Sequence, residues 1–349
     1  MPNKKVTMQD IADACGLSRN TVSKVFNGRG AVPESTRRII LAPAQRLGYR
    51  QLPAAGQPPA ADGPARRQGI AVFSNRSMPE QSHYGAAFNY AFIDRLSREG
   101  YSILMYEITP EERDSCQLPP GFDLEHTAGI LGIEMFDPAY TRLLCGLGIP
   151  TIFSDTYARA ECETMTADVI SMENTSSVMQ VTAQAIAAGA QRLGFVGDPD
   201  HCNSFYERWR SFCSALELAR LPLDRRLCIL AEDSDLYGDT GWLLEQLRRM
   251  PEIPDAFICA NDFLAIHLMA ALKTLGRTIP RDIMVAGFDG TPESRVVDPP
   301  LTTVQISSSE MGYIAAGMLL ERIQRPELPF RRCYVQSHPV WRGTLRLPE

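Results

Sequence analysis

Residues 6–50 read VTMQDIADACGLSRNTVSKVFNGRGAVPESTRRIILAPAQRLGYR, and this stretch decides the fold of the N-terminus. Thr7-x-x-Asp10 is a capping-box start. Met8, Ile11, Ala12 and Cys15 then recur at i, i+3, i+4 and i+7, one face of a helix. Gly16 is placed to end that helix in the left-handed conformation. Leu17 follows, and Ser18 can cap a second helix. A helix, a short glycine-containing turn and a capped second helix make a helix-turn-helix pattern. A third helix is expected over 33–47, with Ile40, Ala44 and Leu47 on one side and Gly48 at its end. Pro43 sits inside it; an interior proline costs ~3 kcal/mol or more, so a kink or an early end is expected. Asn27-Gly28 and Arg29-Gly30 read as turns.

The second helix divides cleanly. Val22, Val25 and Phe26 make an inward stripe, while Arg19, Asn20, Ser23, Lys24 and Asn27 occupy the other side with no acid among them. Arg and Lys suit guanine O6 and N7, and Asn suits adenine N6 and N7. The N-terminal part of such a helix reaches base edges. One polar face is more often merely solvated. Here the cap, the turn and the charge of the segment agree on DNA.

Net charge is −6 over 349 residues, which alone argues against nucleic acid. Its distribution argues the reverse. Residues 1–67 hold eleven Lys/Arg and four Asp/Glu, and the remainder holds 24 basic and 37 acidic residues. A basic head on an acidic body leaves the head alone to meet a polyanion. The composition, 44% hydrophobic and 22% charged, is that of a soluble globular chain. No apolar run reaches the ~20 residues of a membrane helix. The start, MPNKKVTMQDIADA, has no apolar core of a secretory signal, so a cytoplasmic protein is expected. Nine scattered cysteines without a C-x-x-C pair point to neither a disulfide framework nor a zinc module. Cys15, Cys145, Cys213 and Cys259 read as small core residues.

From Arg67 onward, apolar runs alternate with amphipathic helical stretches. Strands are expected at Ile70–Phe73, Ile103–Tyr106, Ile130–Ile133, Thr151–Ser154, Leu193–Val196, Cys228–Leu230, Ala256–Cys259 and Met284–Phe288. Helices are expected at Ala86–Glu99, Ser176–Ala188, Trp209–Leu218, Thr240–Arg248 and Phe263–Leu275. Alternating β and α units argue parallel, doubly wound sheets, and two rounds of the pattern argue two lobes. Ligands of such sheets bind beyond the carboxyl ends of the strands. Tyr84, Asp155, Asn261 and Asp289 follow strands, and Arg208 opens a helix with Ser204 one turn before it. Leu236 or Tyr237 is a weaker candidate for an apolar cover. Asp262 reads as a helix cap rather than a ligand contact.

Catalytic signatures do not stand out. There is no G-x-S-x-G elbow, H-E-x-x-H pair or Walker loop. Gly146-Leu147-Gly148 precedes a strand and reads as a helix end. Asp198-Pro-Asp-His-Cys202 reads as a turn beside the cleft rather than a metal site. The five histidines are dispersed. No cofactor, metal or catalytic residue is assigned.

The stretch 6–50 resembles the DNA-binding headpiece of the lactose/galactose-repressor (LacI/GalR) family. The resemblance continues through RWRSFCSAL (208–216), PDAFICANDFLAIHLMAALKTLG (254–276) and VAGFDGTPESRVVDPPLTTVQ (285–305). It implies that Arg19, Asn20 and Lys24 read bases, and that Thr7, Ser18, Thr21, Ser23, Asn27 and Thr36 mostly hold phosphates, contacts that fix register. It implies a homodimer on pseudo-palindromic double-stranded operator DNA, with an effector controlling a repressor. It also implies a periplasmic-binding-protein-like body closing on that effector. The expected domains are 1–50, a linker 51–67 and a sensor 68–349. Lobe 1 is expected to take 68–167 and 300–331, and lobe 2 168–299 and 332–349, with crossings near 166–168, 298–302 and 331–333. In sugar-sensing relatives the positions matching Arg208, Asn261, Asp155 and Asp289 hold ligand hydroxyls, which suits carboxylate acceptors, a planar Arg donor and an amide that does both. A purine-type effector needs an aromatic clamp, for which Tyr84 is the candidate.

One segment departs from the family. Residues 51–67, QLPAAGQPPAADGPARR, carry prolines at 53, 58, 59 and 64, where relatives have a short hinge helix with a wedge leucine. Each interior proline opposes helix, and Leu52 is the lone leucine. Two other classes compete with a regulator. A transporter's solute-binding protein would lack the head and carry a secretory signal. A sugar-modifying α/β enzyme would show a nucleotide loop or a nucleophile.

Overall fold

The computed structural model describes residues 7–26, 36, 39–40, 43–44, 69–75 and 83–346. The chain divides into two compact units, Met1–Arg66 and Arg67–Glu349, each described by itself.

In the first unit, α1 (Met8–Cys15) and α2 (Arg19–Phe26) form as the sequence dictates. The Asp10 amide donates to Thr7 Oγ1 (3.4 Å) and the Thr7 amide to Asp10 Oδ2 (2.7 Å), closing the capping box. Gly16 ends α1 at φ 67°, and its missing Cβ makes that left-handed turn inexpensive. Ser18 Oγ accepts from the Thr21 amide at 3.2 Å, capping α2. Ile11, Ala12, Val22, Val25, Ile40 and Ala44 form the core, with Met8, Cys15 and Leu17 packed on it. Thr36, Ile39, Ile40, Pro43 and Ala44 are helical. The linker 51–67 and the rest of 33–47 lie outside the described residues.

The second unit holds two sheets. Lobe 1 is a six-stranded parallel sheet from β1 (Gly69–Asn75), β2 (Ser102–Ile108), β3 (Thr127–Ile133), β4 (Thr151–Ser154), β5 (Asp168–Met172) and β10 (Arg332–Val335), in the order β10-β5-β4-β3-β1-β2. Every residue of β3, β4 and β5 is buried, and β3 reads as a near-continuous apolar run for that reason. Helices α3 (His83–Arg98) and α9 (Ser308–Gln324) pack together. A Cβ at Gly312 would stand 2.1 Å from Phe88 O, so only glycine permits that approach. Tyr140 and Leu144 of α4 (Pro138–Gly146) join Phe73 and Phe153 in a second cluster. The charged residue in these strands is Asp168, wholly buried, gripped by Arg322 through Nε (3.1 Å) and Nη2 (2.9 Å).

Lobe 2 has β6 (Leu193–Val196), β7 (Ala256–Cys259) and β8 (Met284–Ala286), parallel in that order, and an antiparallel pair, β9 (Thr303–Gln305) with β11 (His338–Val340). Its helices include α5 (Ser176–Ala187), α6 (Asn203–Leu218), α7 (Thr240–Arg249) and α8 (Asp262–Thr274). The expected strand Cys228–Leu230 reduces to one bridge, Ile229 with Val196. The helix expected from Trp209 starts six residues earlier, because Cys202 accepts from the Phe205 amide and caps it.

The lobe boundaries also move. β5 pairs with β4, and β10 pairs with β5, so both belong to lobe 1. β9 pairs with β11 and so belongs to lobe 2. The crossings therefore fall at 173–175, 306–307 and 336–337 rather than 166–168, 298–302 and 331–333. Hydrogen-bonded ladders, not composition, decide the assignment. Among the described residues no helix is long and apolar enough to cross a membrane.

Candidate functional site

β3 and β4 deliver two carboxyls at their carboxyl ends, where the chain turns through left-handed residues. Glu134 (φ 52°) and Asp155 (φ 60°) occupy those positions. Asp155 is 6% exposed, and its Oδ1 accepts from the Thr156 amide at 2.8 Å. Burial raises its pKa, opposed by hydrogen bonding from Ser204 and by the charge of Arg208. Burial raises Glu134 to about 7, with the Asp155 charge adding to it.

Lobe 2 supplies the cation. Arg208, 3% exposed, donates from Nε to Asn174 Oδ1 (2.9 Å) and from Nη1 to Ala260 O (2.6 Å). Its Cζ lies 3.6 Å from the Phe288 ring centroid, a cation–π contact. Nη1 stands 3.7 Å from Asp289 Oδ1, an ion pair but too long for a hydrogen bond. Asp289 turns sharply at φ 110° after its amide donates to Val304 O. Burial raises its carboxyl to about 7; Arg208 opposes this, and Asp262 and Glu134 add to it. Ser204, one turn before Arg208, is buried, and its Oγ lies 3.3 Å from Asn174 Nδ2.

Asn261 is the N-cap of α8: its Oδ1 accepts from the Leu264 amide at 2.9 Å. Its Nδ2 has no hydrogen-bond partner among the described residues. This corrects the reading of Asp262 as the cap. Asn261 is extended and precedes the first helical residue, whereas Asp262 is fully buried. Asp262 accepts from Thr303 Oγ1 (2.5 Å) and the Thr291 amide (2.8 Å). Tyr84 falls in the first turn of α3 rather than in a loop, and its side chain lies outside the described residues. Tyr237, considered as a cover, is core: it is 1% exposed and its hydroxyl donates to Ala231 O at 2.9 Å. Leu236 is exposed.

The structure thus brings Asp155, Ser204, Arg208 and Asp289 together from both lobes, with Asn261 next in the chain to the Ala260 carbonyl that receives Arg208. Sequence reading missed Glu134, Asn174, Glu207 and Phe288. Glu134 carried a usable signal, since like Asp155 it is an acid closing an apolar strand. The segment 198–202 is a turn: Asp198 Oδ1 accepts from the Asp200 amide at 2.9 Å, and no metal-ligating cluster occurs among the described residues. A cavity of about 280 Å³ lined by Thr175, Tyr206, Glu207 and Arg210 lies on another face of α6, and Arg208 and Asp289 do not line it.

In the head, Arg19 and Ser18 are exposed, and Thr21, Ser23 and Thr36 half-buried. The Thr7 hydroxyl also lies 2.7 Å from Asp10 Oδ2, and Ser18 Oγ 2.8 Å from Thr21 Oγ1. The side chains of Asn20 and Lys24, and all of Asn27, lie outside the described residues.

A helix-turn-helix head and a two-lobed α/β body with a polar cleft define a DNA-binding regulator built around a ligand-binding fold. Residues 7–51 match the bacterial regulatory proteins of the lacI family, and residues 182–345 the periplasmic binding protein-like domain. These matches put a lacI-family DNA-binding head and a periplasmic binding protein-like body on one chain, the make-up of a DNA-binding transcription regulator. It is 25% identical over 338 residues to the HTH-type transcriptional repressor PurR of Actinobacillus pleuropneumoniae serotype 3 (strain JL03), covering 95% of this chain and 96% of that one. Two solved structures share the fold. The transcriptional regulator CelR–cellobiose complex has a TM-score of 0.69 and 22% identity, covering 97% of this chain and 99% of that one. The lac repressor dimer bound to operator and the anti-inducer ONPF has a TM-score of 0.66 and 20% identity, covering 98% and 99%.

Proposed function

We propose that this protein is a cytoplasmic, nucleoid-associated repressor that binds a pseudo-palindromic operator as a homodimer and is controlled by a sugar or sugar derivative. The observation that carries the effector reading is Arg208. It is buried, held on three sides, and faces Asp289 in its own lobe and the carboxyl of Asp155 from the other lobe. Asp289, Asp155 and Arg208, with Asn261 and Ser204 beside them, offer paired acceptors and donors, the complement of a vicinal diol; Tyr84 remains a candidate contact. Cellobiose in the CelR complex supports a sugar, and the operator in the lac repressor dimer supports two heads on one DNA. In the head, Arg19, Asn20 and Lys24 read bases, while Thr7, Ser18, Thr21, Ser23, Asn27 and Thr36 hold phosphates. The domains run 1–50, 51–67 and 68–349.

The test is calorimetry of the whole protein against ribose, glucose, galactose, maltose, cellobiose and the free nucleobases. Heat from a sugar and none from nucleobases is expected. Tight nucleobase binding with silent sugars overturns the effector reading. Selection from random DNA that returns no two-fold-related site overturns the dimeric operator.

A further inference from the structure

Glu207 sits on α6 immediately before Arg208, so it points to a different side of the helix. Three donors converge on its carboxylate. Tyr334 Oη donates to Oε1 at 2.7 Å, Asn203 Nδ2 to Oε1 at 2.9 Å, and Asn174 Nδ2 to Oε2 at 2.7 Å. Two of these partners lie at crossings between the lobes. Asn174, 1% exposed, lies within the first crossing after β5. Tyr334 is the penultimate residue of β10, just before the last crossing. Asn174 faces both ways, because its Oδ1 accepts from Arg208 Nε at 2.9 Å. A continuous hydrogen-bonded chain therefore runs Tyr334–Glu207–Asn174–Arg208 and ends opposite Asp289.

We infer that Glu207 is a positioning residue that couples the angle between the lobes to the placement of Arg208, and through it effector occupancy to operator affinity. This inference rests on the sugar-controlled repressor reading. β5 and β10 belong to lobe 1 and α6 to lobe 2, so a rotation about the crossings changes the Tyr334–Glu207 and Asn174–Glu207 distances. Asn174 shares its amide between Glu207 and Ser204 Oγ (3.3 Å), so loss of one bond reorients the group that aims Arg208. Two of the three crossings are tied to one carboxylate, which makes them move as a unit. Both oxygens of Glu207 already accept hydrogen bonds from the protein itself. Its role is transmission.

The experiment compares full-length wild type with Glu207→Gln and Tyr334→Phe. The probes are the tightest-binding sugar among ribose, glucose, galactose, maltose and cellobiose, and the DNA that the wild type selects from a random pool. Operator affinity is measured with and without the sugar, and sugar affinity with and without DNA. Both variants are expected to keep sugar-free operator affinity within about two-fold while the coupling ratio falls by about five-fold or more. A merely structural role would lower thermal stability without changing that ratio. Tyr334→Phe removes one hydroxyl and keeps the ring, so it carries the test if Glu207→Gln fails to fold. Coupling equal to wild type in the folded variants overturns this inference and leaves the sugar reading standing. If no sugar of the panel alters operator binding by the wild type, the sugar reading falls and this inference with it.

Discussion

Arg208 lies against the Phe288 ring, Cζ 3.6 Å from the centroid, so its guanidinium plane is fixed before any ligand arrives. Asn174 and the Ala260 carbonyl hold its other edges. A planar fork stacked on a ring is not replaceable by an ammonium. Arg208→Lys is expected to lose effector binding and to destabilise the body by about 1–3 kcal/mol, because Asn174 Oδ1 or Ala260 O is left without its donor. Urea unfolding and calorimetry together read both effects. Unchanged stability would show that the hydrogen bonds to Arg208 contribute nothing.

Asp289 and Glu134 give the body a pH dependence. Each carboxyl rises to about 7 on folding, chiefly through burial, so the folded state binds its proton more tightly than the unfolded chain does. That contribution is fully present below the ordinary carboxylate range and is lost as pH climbs through about 7. Melting temperature of the ligand-free protein is expected to fall across this window, and Asp289→Asn to flatten the slope. A slope unchanged by the variant rules Asp289 out. Asp289→Ala is expected to abolish the effector response while operator binding survives, read by gel shift with and without sugar.

Asp262 separates stability from sensing. It is fully buried and receives Thr303 Oγ1 and the Thr291 amide. Asp262→Ala leaves both donors unpaired at about 1–3 kcal/mol each. A lower melting temperature with effector affinity kept in the folded fraction is expected. Loss of affinity at full stability would place Asp262 among the ligand contacts instead.

The head allows two opposed substitutions. Arg19→Ala is expected to relax sequence preference and cost about 1–3 kcal/mol per half-site, whereas Thr21→Ala weakens all sequences alike. Gly16→Ala forces a Cβ into the left-handed region at φ 67°, at a cost of about 1–2 kcal/mol, and faster hydrogen exchange in α1 and α2 reads it.

What the sequence made legible follows from how local each signal is. The capping box, Gly16 and the Ser18 cap are contacts within four residues, and all three appear in the structure. Strands buried on both faces, such as Thr151–Ser154 and Leu193–Val196, match residue for residue. β5 opens with an aspartate, and β10 alternates RCYV with half-exposed faces; the membership of β10 depends on a partner more than a hundred residues away. That is why the lobe boundaries were misplaced. In the cleft, Asp155, Ser204, Arg208 and Asp289 were visible as polar residues near strand ends. Asn174 and Glu207 were not, because their roles lie in what they touch. Cys202 as a helix cap gave no cue at all.

The order of strands in lobe 1 has a consequence for biosynthesis. β10 is an edge of that sheet and its last strand in sequence, some 160 residues beyond β5, its only neighbour. During translation at 5–20 residues per second, the β5 edge therefore waits roughly 10 to 30 s for its partner. An unpaired edge of that kind templates pairing with other chains. A nascent chain that is stalled or truncated inside lobe 2 leaves the ribosome with its first lobe unsealed. Such a fragment presents the β5 edge, which the complete chain covers with β10.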